Sequence, residues 1–128
     1  MVRNLYSQYK SKSIATSAPI DQVVFAFDES IKLMNKSIEL RDQNKFTELY
    51  EKLNKVSKIF LLLAQITNDE GGGDTSKSFI DFCNAVDHEI TYIIVHDKES
   101  SRIKKLLDSI KNMQSIIIGS KQFAQDKN

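Results

Sequence analysis

Residues 19–41 read PIDQVVFAFDESIKLMNKSIELR, and the spacing of their apolar side chains decides the fold. Ile20, Val24, Phe27, Ile31, Met34 and Ile38 recur at intervals of three and four, the repeat of one face of an α-helix. A second row, Val23, Ala26, Ser30, Leu33, Ser37 and Leu40, borders the first and widens the face to be buried. Pro19 suits the first turn, because its φ is already helical and that turn has no use for its missing N–H. Ser17 or Ala18 then stands near the cap, with Asp21 at the positive end of the helix dipole. The polar tetrad Arg41-Asp42-Gln43-Asn44 closes the segment. At the helical rise the segment is about 35 Å long, an ordinary length for a bundle.

Outward from this segment the pattern repeats. A helix near 45–68 carries Phe46, Leu49, Leu53, Val56, Phe60 and Leu63. Glu48/Lys52 and Glu51/Lys55 stand at the i,i+4 spacing of favourable ion pairs. From Ile59 to Ile66 it is apolar nearly all round, so it must be buried on every side or covered by something outside the domain. Leu61 and Leu62 are the residues on which these readings divide, a central core helix being the plainer one. A helix near 74–97 carries Phe79, Phe82, Cys83, Val86, Ile90, Ile93 and Ile94, and one near 101–118 carries Ile103, Leu106, Leu107, Ile110, Met113 and Ile117. Gly119 reads as the end of the last helix, and residues 119–128 as a flexible polar tail. Residues 1–18 hold Leu5, Tyr6 and Tyr9 in a segment too short for an independent helix, which is marginal below ~12–15 residues. Four helices with short connections pack most simply as an antiparallel up-down bundle. The expectation is therefore an all-α four-helix bundle over residues 1–118, a single domain with a short extra N-terminal helical segment.

Composition agrees. A chain of 128 residues that is 41% apolar and 27% charged supports one core. It has one proline and four glycines, three of them contiguous at Gly71, Gly72 and Gly73. An all-β domain, which needs a turn every 8–12 residues or so, is excluded. Eighteen basic and seventeen acidic residues leave a formal charge of +1, without the basic excess of nucleic-acid binders. No stretch approaches the ~20 apolar residues of a membrane span, and the start lacks the apolar region of a secretory signal. Cys83 is the only cysteine, so no internal disulfide forms. The expected setting is reduced and cytoplasmic, with no membrane insertion and no nucleic acid.

No catalytic constellation emerges, and the reading is of a protein that is not an enzyme and needs no cofactor. His88 and His96 lie eight residues apart, but Ala85 and Ile93 stand where a bundle metal site would place its Glu-x-x-His carboxylates. A histidine phosphotransfer domain prefers Lys and Gly three and four residues after its active histidine. Here His88 is followed by Thr91 and Tyr92, and His96 by Glu99 and Ser100, and a glutamate repels phosphate. The triple glycine follows a helix and lacks GxxxxGK[ST], so it reads as a linker and not a phosphate loop. Cys83 sits on the apolar stripe and reads as a small core residue.

The order of smaller signals is more specific. Asn4, Tyr6 and Tyr9 are followed by Ile14, Thr16, Ser17, Ala18 and Pro19, then by Phe25, Ala26, Phe27, Asp28 and Glu29 at the start of the first long helix. Leu53, Lys55 and Val56 precede the apolar end of the second helix, and Gly72, Gly73, Asp74, Phe79 and Phe82 open the third, with Cys83 where a tyrosine is usual. This ordered set, from Asn4 to about Ile117, resembles the flagellar secretion chaperone family FliS. Departures are the Ser17-Ala18 order, Glu29 in place of glycine, and Cys83.

The resemblance implies an antiparallel helical bundle that binds the disordered C-terminal segment of flagellin in hydrophobic grooves. Such binding blocks premature polymerisation and aids delivery to the flagellar type III export gate, with no nucleotide or metal. Residues expected to meet the partner are Leu5, Tyr6, Tyr9, Ile14, Pro19, Val23, Phe27, Leu61, Leu62, Phe82, Val86 and Tyr92. Val95 adds to the aliphatic excess on the third helix, where an amphipathic client helix would dock. Leu5, Tyr6 and Tyr9 either lie over a groove that the client takes or cap one end of the bundle. A helical adaptor unrelated to flagella, with the same stripes used for self-association as a homodimer, is the alternative.

Overall fold

The computed structural model describes residues 19–69, 74–96 and 101–126. They form four helices, α1 (Pro19–Asp42), α2 (Phe46–Asp69), α3 (Asp74–His96) and α4 (Ser101–Asp126). Pro19 is the first helical residue, Asp21 lies in the first turn and Arg41 in the last, where their charges complement the helix dipole.

The α1–α2 turn is a Schellman motif. Asn44 takes the left-handed backbone, φ 58°, its N–H donates to the Arg41 carbonyl at 3.0 Å, and the Lys45 N–H donates to the Leu40 carbonyl at 2.9 Å. These two bonds satisfy carbonyls that the end of a helix leaves open. The Lys45 carbonyl at once accepts from the Leu49 N–H, 3.0 Å, and starts α2. Asparagine tolerates this backbone better than other residues with a Cβ.

Helix order follows the hairpins. Phe27 and Phe60 stand equally far in sequence from the α1–α2 turn and meet ring to ring, and Phe60 meets Phe82 in the same way across the next connection. α1 packs on α2, α2 on α3, and α4 on α1, which closes an antiparallel four-helix bundle. The remaining side, α3 against α4, is closed only sparsely.

The core holds Phe27, Met34, Leu49, Leu53, Val56, Phe60, Ile90, Ile93, Ile103 and Ile110, all essentially inaccessible to solvent. Ala26, Ser30 and Ser37, the small residues of the second row, are buried too. Their hydroxyls cost little there, because Ser30 donates to the Ala26 carbonyl at 2.9 Å and Ser37 to the Leu33 carbonyl at 2.8 Å.

Two expectations need correction. The last helix does not end at Gly119 but continues to Asp126, and open space surrounds the position of a Gly119 Cβ. A glycine inside a helix costs about 1 kcal/mol relative to alanine, a penalty too small to end a helix. The Glu48/Lys52 and Glu51/Lys55 spacings do not become ion pairs. Among the described residues the ion pairs within a helix lie on α1, Glu29–Lys32 and Lys36–Glu39, because exposed pairs are weak and the side chains stay solvated.

Candidate functional site: the outer face of α3 and its rims

α3 turns to solvent a face unlike those of its neighbours. Asn84, Ala85, His88, Thr91, Tyr92, Val95 and His96 are exposed, and no lysine or arginine lies between Asn84 and His96. The two carboxylates of this stretch are engaged at its edges. Asp87 accepts a hydrogen bond from Ser57 of α2, and Glu89 takes the guanidinium of Arg102 from α4. The exposed positions of α1, α2 and α4, by contrast, include Lys32, Lys36, Lys55, Lys58, Lys104, Lys105 and Lys111.

Large apolar side chains remain in solvent on and beside this face. Val95 is 66% exposed, Tyr92 46% and Leu61 of α2 42%. The half-buried Ile80, Phe82 and Ile94 pack against the core below. Such a face costs little to dry, and an amphipathic segment finds apolar area on it without leaving a charge unpaired.

Tyr92 is held on one side. The Arg102 guanidinium lies 4.1 Å from its ring centroid while its Nε and Nη2 donate to Glu89 Oε2 and Oε1 at 2.9 and 2.6 Å. The ring of His96 lies 4.8 Å away. One flank of the tyrosine is therefore committed to α4.

The expected partner-contacting residues fall in different places. Leu61 and Tyr92 are exposed, and Val23 and Phe82 are half-buried. Phe27 and Val86, expected to meet the partner, are buried and belong to the core of the free bundle. Phe27 stands among the rings of Phe60, Phe79 and Phe82, at 5.1, 6.3 and 6.3 Å, and a side chain so enclosed has no surface to offer. Leu62, which the sequence left beside Leu61, is also buried, at 5%. Pro19 opens α1, and Leu5, Tyr6, Tyr9 and Ile14 lie outside the described residues.

Phe46, which the spacing set on the apolar stripe of α2, is exposed, as is Ile116, which the sequence reading passed over. Phe46 is flanked by Arg41, 5.6 Å to its centroid, and by Tyr50. Ile116 had a visible signal: in Ile116-Ile117-Ile118, three successive positions span too wide an arc of helix for all to be buried.

The remaining chemistry is structural. Asp28, the acid after an aromatic in the motif, accepts from Gln114 Nε2 at 2.7 Å and so ties α1 to α4. Cys83 is buried, and desolvation pushes its thiol from 9.0 up to about 12, the opposite of an activated nucleophile. Among the described residues no cluster of His, Cys, Asp and Glu could hold a metal ion, and no helix is long and apolar enough to cross a membrane.

No curated protein matches the chain. The profile of the family described as "Flagellar protein FliS" matches residues 2–117, nearly the whole bundle and the segment before it, and the chain belongs to the FliS family.

Proposed function

We propose that this protein, as a flagellar export chaperone of the FliS family, binds the disordered C-terminal segment of flagellin in the cytoplasm. It prevents premature polymerisation and delivers the client to the flagellar type III export apparatus. The observation that carries the reading is the outer face of α3, where Tyr92 and Val95 are exposed on a stretch free of lysine and arginine. A client that becomes helical on binding lays an apolar stripe on this face, and Leu61 extends the contact on to α2. Tyrosine suits the role because it joins apolar area to a polar tip. Leu5, Tyr6 and Tyr9 act on the same groove in this reading, lying over it until the client takes their place.

Titration of the protein with a flagellin C-terminal peptide, followed by calorimetry and gel filtration, tests the proposal. A 1:1 complex is expected, weakened about tenfold or more by Val95→Lys, since burying an unpaired charge in an interface carries a large penalty. Tyr6→Ala, at unchanged helicity, is expected to alter client affinity. A homodimer indifferent to the peptide would overturn the reading in favour of a self-associating adaptor.

A further inference from the structure

The seam between α3 and α4 differs from the other three. α4 is secured to α1, where Gln114 Nε2 donates to Asp28 Oδ1 at 2.7 Å and to the Val24 carbonyl at 3.5 Å. Ile103, Leu107 and Ile110 of α4 belong to the core. Toward α3, by contrast, α4 packs sparsely. Among the described residues the side-chain links across this seam converge on Arg102, which pairs with Glu89 through both ends of its fork and lies over Tyr92.

Away from this cluster the described residues of the seam make no matching polar link. One and two turns down each antiparallel helix, register sets Ala85 and Phe82 of α3 against Leu106 and Ser109 of α4. Ala85 and Ser109 are exposed and Phe82 is half-buried, while Leu106 alone reaches the core. A seam that helix packing closes only sparsely, with water at Ala85 and Ser109, opens more easily than one packed like the core.

We propose that Glu89, Tyr92 and Arg102 form a latch that sets how far α4 stands off α3, and that α4 swings about its seam with α1 when the latch releases. The fork-to-carboxylate geometry makes the closed state specific, and the guanidinium on the Tyr92 ring adds cation–π attraction while its fork stays on Glu89, a combination that a lysine's single ammonium does not provide. Arg102 and Glu89 are 41% and 29% exposed in their side chains, so water competes for both and the tie is reversible. The latch is a property of the free protein and does not depend on the identity of the client.

Spin-label distances test it on the full chain. One label pair, His88→Cys with Lys105→Cys, spans the α3–α4 seam, and a control pair, Lys32→Cys with Lys111→Cys, spans α1–α4. All four positions are exposed, while Cys83 is buried and stays unlabelled. In the parent the seam pair should give one dominant distance. Glu89→Gln and Arg102→Gln should each raise a longer-distance population about threefold, a shift in keeping with a half-exposed pair, and leave the control pair unchanged. Glu89→Gln keeps the shape of the side chain, so it stands as a test even if Arg102→Gln fails to fold. Seam distances that superimpose on the parent's, or equal broadening of the control pair, would overturn the latch.

Discussion

The ring of Phe27 lies almost parallel to that of Phe82, with centroids 6.3 Å apart and planes 11° from parallel. Phe27 belongs to α1 and Phe82 to α3, helices at opposite corners of the bundle whose backbones do not meet. The aromatic cluster spans that diagonal, with Phe60 of α2 edge-on to both rings. Phe27→Ala should therefore destabilise the bundle by about 3–5 kcal/mol, measured as a lower urea midpoint. Val95→Lys should leave that midpoint almost unchanged, because Val95 is mostly in water.

Asn44 tests the turn. Its φ of 58° is costly for a residue with a Cβ, and asparagine meets the cost only in part. Asn44→Ala should lower stability by about 1 kcal/mol, whereas Asn44→Gly should hold or raise it, since glycine is the preferred residue in this motif. Thermal melts of the two variants should shift in different directions, or at least by clearly different amounts.

Gly119 offers a stabilising change. It lies within α4, and a Cβ there would meet nothing within 4 Å. Gly119→Ala should add about 0.4–1 kcal/mol by restricting the unfolded chain and favouring the helix. An unchanged or lowered melting temperature would count against a continuous helix at this position.

Cys83 gives the protein an alkaline liability. Burial raises the folded thiol from 9.0 to about 12, so between these values the unfolded chain releases a proton that the folded one retains. Its contribution to stability is whole below pH 9 and is lost as pH rises toward 12, by up to roughly 1.4 kcal/mol per pH unit. In Cys83→Ala that component should vanish, so chemical denaturation across this range should show a shallower fall than in the parent. The parent's thiol should also resist disulfide reagents until the protein is unfolded.

The fold was legible because it depends on periodicity. The apolar stripes located all four helices, and Pro19 and the 41–44 tetrad marked the limits of α1 to within a residue. Gly119 misled because one glycine carries a local preference that neighbouring helical residues outweigh. The surface was less legible, for a related reason. Leu61 and Leu62 are chemically identical and adjacent, yet one is 42% exposed and the other 5%. A helix turns about 100° between them, and which side stays dry depends on the neighbouring helix, not on the residue itself. Phe27 and Val86, expected at the partner surface, are buried, since a stripe that lines a groove and a stripe that fills a core have the same spacing. Val95 was readable, because it fell outside the stripe that the core required.

The face of α3 between Asn84 and His96 meets a partner with imidazoles, amide, hydroxyl and hydrocarbon, and the guanidinium at its flank, Arg102 of α4, is already paired with Glu89. Mobile ions have little there to screen, and long-range attraction contributes little to the rate of encounter. A chain held on this face is gripped by the area it removes from water, so its hold persists as ionic strength varies and carries the negative heat-capacity change of apolar burial.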